Sequence, residues 1–409
     1  MGANRFFAST LTHPFCIVLS IVLACASFYV RMEMLGVYLC FLSLFLLVAK
    51  RWSKSALRGI SVSICCSASE IYADNTVRME YTVENNKLMP IIWLDVWQDI
   101  PQRDFLVPDD TIQKIEVDRK EKEVFYKYQI RFSFLHWYTK TRLESVWQAK
   151  KRGIYLTDTV TLRSGDGFGF TATERIEKLA KPLMITVYPR RVPVNTEWFY
   201  QLANDESYGS RGLLEDISVL KSIRPYEETD TWKKINWRMA ARQETLVTNV
   251  YERIMPRTLH FLLDVSSFYP EQEEAFEETL EILSSLMREI SQDGILCGLS
   301  LPATKAAQAK NIWTQGGDEN REILQHLAAI SCDTPEGVFD EEEIFNRRAE
   351  AGELYYVAYN TAGITSPGLV ERLKGRASVV LYSEDGSAGA FLNQALHVRQ
   401  FLRKDGSNV

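Results

Sequence analysis

Thr258-Leu259-His260-Phe261-Leu262-Leu263-Asp264-Val265 is the stretch whose reading decides the fold. It is short, apolar and does not alternate, so it does not read as a strand with one wet face. Such a run is typical of a parallel strand buried on both faces. The residues after it agree. Pro270 and the acids Glu271, Glu273 and Glu274 open a helix, where a first-position proline and first-turn negative charge are favoured. Phe276, Leu280, Leu283, Met287 and Ile290 give that helix one apolar stripe, and Gly294 ends it. Ile295–Leu301 reads as the next strand and Glu319–Ile330 as a second helix. Leu354–Tyr359 reads as a strand, Ser366–Gly375 as a helix, Ala377–Tyr382 as a strand and Ala388–Leu402 as the last helix. Strands alternating with helices predict a doubly wound, mostly parallel α/β sheet over 258–409.

Upstream, over 59–193, the period is two. Val77, Met79, Tyr81 and Val83 alternate with polar neighbours, and Val124 to Phe134 alternates again. Ile154-Tyr155, Val160–Leu162 and Met184–Val187 read as shorter strands, with Ser164–Gly167 and Pro189 as turns. Several strands without a helix predict an antiparallel, immunoglobulin-like β-sandwich. Trp93, Trp97, Trp137 and Trp147 are most simply its packing, with an aromatic ligand site as the alternative.

Charge separates the beginning of the chain from the rest. Through Ile60 there are six basic residues and one acid, a net of +5; the remainder has 41 basic and 52 acidic residues, a net of −11. An overall charge of −6 argues against a dedicated nucleic-acid binder. Within the basic head, Phe15–Val30 and Met34–Ala49 are uncharged apolar runs separated by Arg31-Met32-Glu33. They predict a transmembrane helical hairpin over 1–58, with Lys50, Arg51, Lys54 and Arg58 as a basic collar. Basic residues on the flanks place both termini on the cytoplasmic side. Two other readings are a signal peptide ending near Ala24-Cys25-Ala26 and a buried soluble hairpin. Seven cysteines without paired spacing give no disulfide framework, as a cytoplasmic body requires. The whole is an α+β multidomain chain that meets a lipid bilayer through its N-terminal hairpin.

Two places carry candidate chemistry. Asp264 and Ser266 end the first buried strand of the α/β part, where open sheets bind ligands. A carboxylate and a hydroxyl there could hold Mg²⁺. The von Willebrand A-type pattern of Asp-x-Ser-x-Ser is matched at Asp264 and Ser266, but Phe268 replaces the second Ser. Asn360 stands where a later acid would help, and Thr304 or Thr334 would have to supply the hydroxyl. The competing reading is that Asp264 and Ser266 cap the next helix.

The second place is 194–257, a segment between the two domains. Arg224, Lys233, Lys234, Arg238 and Arg242 make it basic within an acidic body. Asp230 reads as an N-cap, with Ile235, Trp237 and Ala241 packing onto a sheet. Basic and aromatic residues together could hold a phosphate or an acidic partner; alternatively the arginines pair with nearby acids.

Enzyme signatures are absent. There is no Gly-x-x-x-x-Gly-Lys, His-Glu-x-x-His or Gly-x-Ser-x-Gly, and the five histidines do not cluster. His260, inside an apolar strand, reads as a satisfied core imidazole.

The segment also carries a resemblance. Arg224-x-Tyr226, Asp230, Ile235-Asn236-Trp237 and Ala241-Arg242 resemble the signature of the domain of unknown function 58 family, with Thr229 for its Gly and Asn236 for its Asp. Met89-Pro90, Ile100-Pro101, Arg152-Gly153-Ile154-Tyr155, Asp166-Gly167-Phe168-Gly169 and Val187-Tyr188-Pro189-Arg190 resemble further motifs of that family, in order, with Gly167 for a Pro. The resemblance implies a membrane hairpin, a von Willebrand A-like C-terminal domain and a partner ATPase of the MoxR-type AAA+ class. It implies a scaffold in the assembly or maturation of complexes rather than an enzyme, with Arg224, Tyr226, Asp230, Trp237 and Arg242 as partner-binding residues. A structural cell-envelope protein is the remaining alternative.

Overall fold

The chain begins with β1 (Arg5–Ala8) and two helices, α1 (Pro14–Tyr29) and α2 (Glu33–Ala56). They are seen in a computed structural model that describes residues 5–8, 13–100, 106–108, 126–196, 215–227, 230, 232–253, 258–302, 310–313, 320–332, 353–360, 378–383 and 395–403. The turn between the helices is as tight as the sequence predicts, with Arg31 at φ 62°. At Gly36 a Cβ would lie 2.9 Å from the Phe28 ring, so glycine lets the two helices touch. Serines inside the apolar stretches donate to their own helix: Ser20 to Ile17 O, Ser27 to Leu23 O and Ser43 to Cys40 O. The 24 residues of α2 are long and apolar enough to cross a membrane. The 16 residues of α1 are apolar but shorter.

Two sheets follow. The first joins β2 (Ile60–Cys66), β4 (Thr76–Asn85), β8 (Lys140–Ala149) and β6 (Leu106–Pro108) in that order. The second orders β1, β10 (Thr171–Tyr188), β9 (Gly153–Gly165), β5 (Ile91–Ile100) and β7 (Tyr126–Leu135), and β3 (Glu70–Tyr72) pairs with β10. Alternating residues of both sheets make one core that includes Val77, Met79, Tyr81, Leu94, Phe132, Trp147 and Tyr155. Trp147 is fully buried as expected, but Trp137 is 55% exposed. The short strands expected between 154 and 187 merge into the two long strands β9 and β10, because Gly165 to Thr171 is a hairpin turn.

The chain divides into units Met1–Tyr188 and Pro189–Val409. The sandwich therefore ends before residue 193. Arg190 pairs with Glu281 at 2.9 Å, the Val192 N–H donates to Ser285 Oγ, and Val194 bridges Leu402, all within the second unit.

In that unit β11 (Glu215–Pro225) and β12 (Val247–Arg253) form a two-stranded ribbon that flanks α3 (Trp237–Gln243). A six-stranded sheet then comprises β13 (Thr258–Leu263), β14 (Leu296–Leu301), β15 (Lys310–Trp313), β16 (Glu353–Ala358), β17 (Ser378–Leu381) and β18 (Ala395–His397). Its order is β15-β14-β13-β16-β17-β18. All neighbours are parallel except the antiparallel edge strand β15, which periodicity did not reveal in so few residues. β13 is buried from Leu259 to Leu263, as its unalternating sequence requires. α4 (Glu273–Gln292) and α5 (Asn320–Ala329) follow β13 and β15, and α4 buries Phe276, Leu280, Leu283, Met287 and Ile290.

The final helix expected over 388–402 is not formed in its described part. Ala395–His397 pairs with β17, and Val398–Phe401 is a 3-10 turn whose first N–H groups bond the side chain of His397. Residues 388–394, the expected helix at 366–375, and Thr304 and Thr334 lie outside the described residues.

Candidate functional site

Around the β11–β12 ribbon of the second unit, the structure builds a clamp. Arg224 leaves the end of β11 and donates to Asp230 Oδ1 at 2.6 Å; it also lies 3.3 Å from Glu227. Asp230 accepts in addition from the Glu227 N–H at 3.0 Å and from Thr248 Oγ1 of β12 at 3.3 Å. The Glu227 N–H and then Arg224 hold its carboxyl below the ordinary carboxylate range, against the opposing effect of burial. Tyr226 donates to the Asp230 carbonyl at 3.4 Å, and its ring lies 6.1 Å from that of Trp232. The expected role of Asp230 as an N-cap is corrected: it ties the loop back onto the ribbon.

The N-cap of α3 is Asn236. Its Oδ1 accepts from the Met239 N–H at 3.1 Å, and its Nδ2 donates to Asn249 on β12 at 2.8 Å. Ile235 is buried and bridges Thr248. Trp237 and Ala241 do not pack as expected, since no residue of α3 is buried. Trp232 and Trp237 are exposed by 67% and 59%, and Lys233, Arg238 and Arg242 are exposed beside them. Of the five residues predicted here, Arg224, Tyr226 and Asp230 come together as support, while Trp237 and Arg242 stand on the surface.

In the α/β sheet, β14 and β15 lie on one side of β13 and β16 to β18 on the other, so the carboxyl ends of β13 and β16 flank the topological switch point. Asp264 sits there, buried, with Ser266 and Ser267. Its Oδ1 accepts from the Ser266 N–H at 3.1 Å and from Ser266 Oγ at 2.5 Å. Its Oδ2 accepts from the Tyr356 hydroxyl on β16. Burial pushes the Asp264 carboxyl up, and burial followed by the charge of Asp264 pushes the Tyr356 hydroxyl well above its ordinary value. Ser267 Oγ donates to the Asp264 carbonyl at 2.7 Å and accepts from the Tyr359 N–H, tying β13 to β16. Phe268, at the missing serine position, is buried against Phe276 and Tyr359. These bonds take up most of the acceptor capacity of the Asp264 carboxylate. Among the described residues, no three His, Cys, Asp or Glu side chains could hold a metal ion. His260 is buried with Nε2 2.7 Å from Ser300 Oγ, the satisfied imidazole expected.

Sequence reasoning missed a third cluster. Glu278 of α4 accepts from Arg399 at 2.9 Å and from Tyr382 at 2.5 Å, which joins α4 to the carboxyl ends of β17 and β18. These partners lie 104 and 121 residues from Glu278, and no local spacing signals such contacts.

Fold and sites define a class: an α+β protein with an apolar N-terminal hairpin, two facing β-sheets and an open, mostly parallel α/β sheet. No family model matches the chain. It is similar to YeaD of Bacillus subtilis (strain 168), an uncharacterized protein, with 26% identity over 270 residues and 64% of each chain covered. The chain thus spans less than two thirds of that relative's length. Among solved structures, the CARDB domain of the PF1109 protein of Pyrococcus furiosus matches 31% of this chain and 91% of its own, at 10% identity and a TM-score of 0.18. Spo0M, a sporulation control protein of Bacillus subtilis, matches 39% of this chain and 58% of its own, at 11% identity and a TM-score of 0.18. Likeness at that level carries no argument.

Proposed function

We propose that the chain is a membrane-anchored scaffold of the domain of unknown function 58 family. Its α1–α2 hairpin crosses the bilayer, both termini are cytoplasmic, and the α/β sheet is a von Willebrand A-like domain. The segment over 224–242 recruits an AAA+ ATPase of the MoxR type for assembly or maturation of a complex. One observation carries this reading: a surface helix, α3, with no buried residue is nevertheless held by the Arg224–Asp230 and Asn236–Asn249 contacts. Trp232, Trp237, Lys233, Arg238 and Arg242 are thereby displayed at little conformational cost, and exposed Trp and Arg are the residues that most often anchor protein interfaces. The alternation of strands and helices around β13 supports the von Willebrand A-like part. The test is co-purification of the full chain, in detergent, with a MoxR-type AAA+ ATPase from the same cells. Recovery of that ATPase supports the scaffold; its absence with and without ATP sinks it.

A second reading places a Mg²⁺-dependent ligand site at Asp264 and Ser266. Their position at the switch point favours it, and a rise in Tm with Mg²⁺ that vanishes in Asp264→Ala would establish it.

A further inference from the structure

Phe168 lies beside the apolar run of α2, not below it. Its ring centroid is 5.0 Å from that of Phe45, edge to face, and Phe170 is 6.1 Å from the same ring. Phe45 stands four residues inside the last apolar position, Ala49, which at the helical rise is about 6 Å toward the centre of the apolar span. The basic residues Lys50, Arg51 and Lys54 come after that level.

The depth of the turn along α2 is fixed. Leu46, Ala49, Ser53 and Ala56 are the buried face of the C-terminal half of α2. Thr173 Oγ1 donates to the Ser53 carbonyl at 3.0 Å, and Lys87 Nζ donates to the Ser55 carbonyl at 2.8 Å. The turn itself is rigid. Asp166, buried, accepts from the Phe168, Gly169 and Thr171 N–H groups and from Thr171 Oγ1, all within 3.0 Å. Gly167 and Gly169 take the left-handed φ values of 79° and 86° that this turn needs. Phe168 nonetheless remains 64% exposed beside Phe45, and Phe41 and Leu44 of the same helix are exposed too.

We infer that the turn at 166–169 enters the bilayer interface and places Phe168 among lipid acyl chains as a second membrane anchor. The inference rests on the membrane reading of α2 and deepens it. The occupant of this apolar band is lipid because the band continues the apolar surface of the spanning helix, with basic residues of the same helix at headgroup level. The first unit then abuts the leaflet, even though the chain beyond Ile60 is acidic overall.

The experiment uses the full chain in vesicles of phosphatidylcholine and phosphatidylglycerol doped with phosphatidylcholine that bears a photoactivatable diazirine in its acyl chain. Peptide fragmentation locates the adducts. The expected result is labelling of α2 and of Phe168 or its immediate neighbours, well above the labelling of β4 and β8. Labelling of α2 without the turn overturns the inference and leaves the spanning helix intact. Absence of label from α2 overturns the membrane reading, and the second anchor falls with it.

Discussion

The guanidinium of Arg224 donates to the carboxylate of Asp230 across 2.6 Å, six residues along the chain. The side chains of this pair are 40% and 10% exposed, so it is a partly buried strut. The clamp aligns the loop with β12 through Thr248 and leaves α3 outward. Because Arg224 holds the loop while Trp237 and Arg242 stand on the surface, the two kinds of variant should behave differently.

Asp230→Ala leaves the Glu227 N–H and the Thr248 hydroxyl without their acceptor and takes one of the partners of Arg224 away. It should lower stability by about 1–3 kcal/mol, whereas Arg224→Ala should cost about 1 kcal/mol or less, as expected for a part-exposed pair. Because the folded carboxyl is held below its ordinary value of 3.8, this stabilisation is present above that pH and is lost as pH falls through the folded value. Denaturant unfolding of the full chain in detergent, at neutral and acid pH, checks the order and the sign. Equal losses for both variants would contradict it.

At Lys87 the pKa is also lowered, but because the charged form is disfavoured. Burial, then the nearby charge of Arg175, brings it down from 10.5 to about 8, although its Nζ donates to the Ser55 and Ala56 carbonyls at the end of α2. The unfolded chain therefore binds the proton more tightly, and stability rises with pH between about 8 and 10.5. Thermal unfolding across that interval should show a gain in the wild-type chain that is missing from Lys87→Met. Parallel curves would show that the site does not titrate this way.

Asp166→Ala removes the acceptor of four hydrogen bonds, of which the two from Thr171 are buried. A loss of about 1–3 kcal/mol follows from the buried Thr171 donors left unpaired. Chemical unfolding measures it; a change below about 1 kcal/mol would mean that the turn is held by Gly167, Gly169 and their neighbours alone.

Tyr356→Phe removes the donor to Asp264 Oδ2, and a loss of about 1–3 kcal/mol is expected because the carboxylate is buried. The occupied oxygens also predict that Mg²⁺ leaves the Tm of the wild-type chain unchanged. A metal-induced rise in the Tyr356→Phe variant alone would mean that the tyrosine hydroxyl holds the cation's place.

The legible parts of the fold are those written locally. Thr258–Val265 declares a two-face-buried strand, Val77–Val83 a half-buried one, and the stripe from Phe276 to Ile290 a helix. Asp166-Gly167-Phe168-Gly169 was legible as a turn because Gly167 and Gly169 serve left-handed positions. What local sequence could not show was partnership across distance. Glu278 with Arg399, and Asp264 with Tyr356, depend on which strands become neighbours. Ala395–Phe401 has the composition of a helix, but pairing with β17 and the cap at His397 override that propensity. In the 224–242 segment the residue types were legible, but not which arginine would be spent on an internal acid.

The central claim is that the surface of α3 recruits an AAA+ ATPase. Its most direct measurement is the affinity of that ATPase for the full chain in lipid nanodiscs, with ATP present, for wild type, Trp237→Ala/Arg242→Ala and Glu271→Ala. The account predicts that the Trp237→Ala/Arg242→Ala chain, folded and equally stable, binds at least about tenfold more weakly, the loss of about 1.4 kcal/mol or more expected of interface anchors, while Glu271→Ala binds as wild type does. Unchanged affinity of the double variant would contradict it.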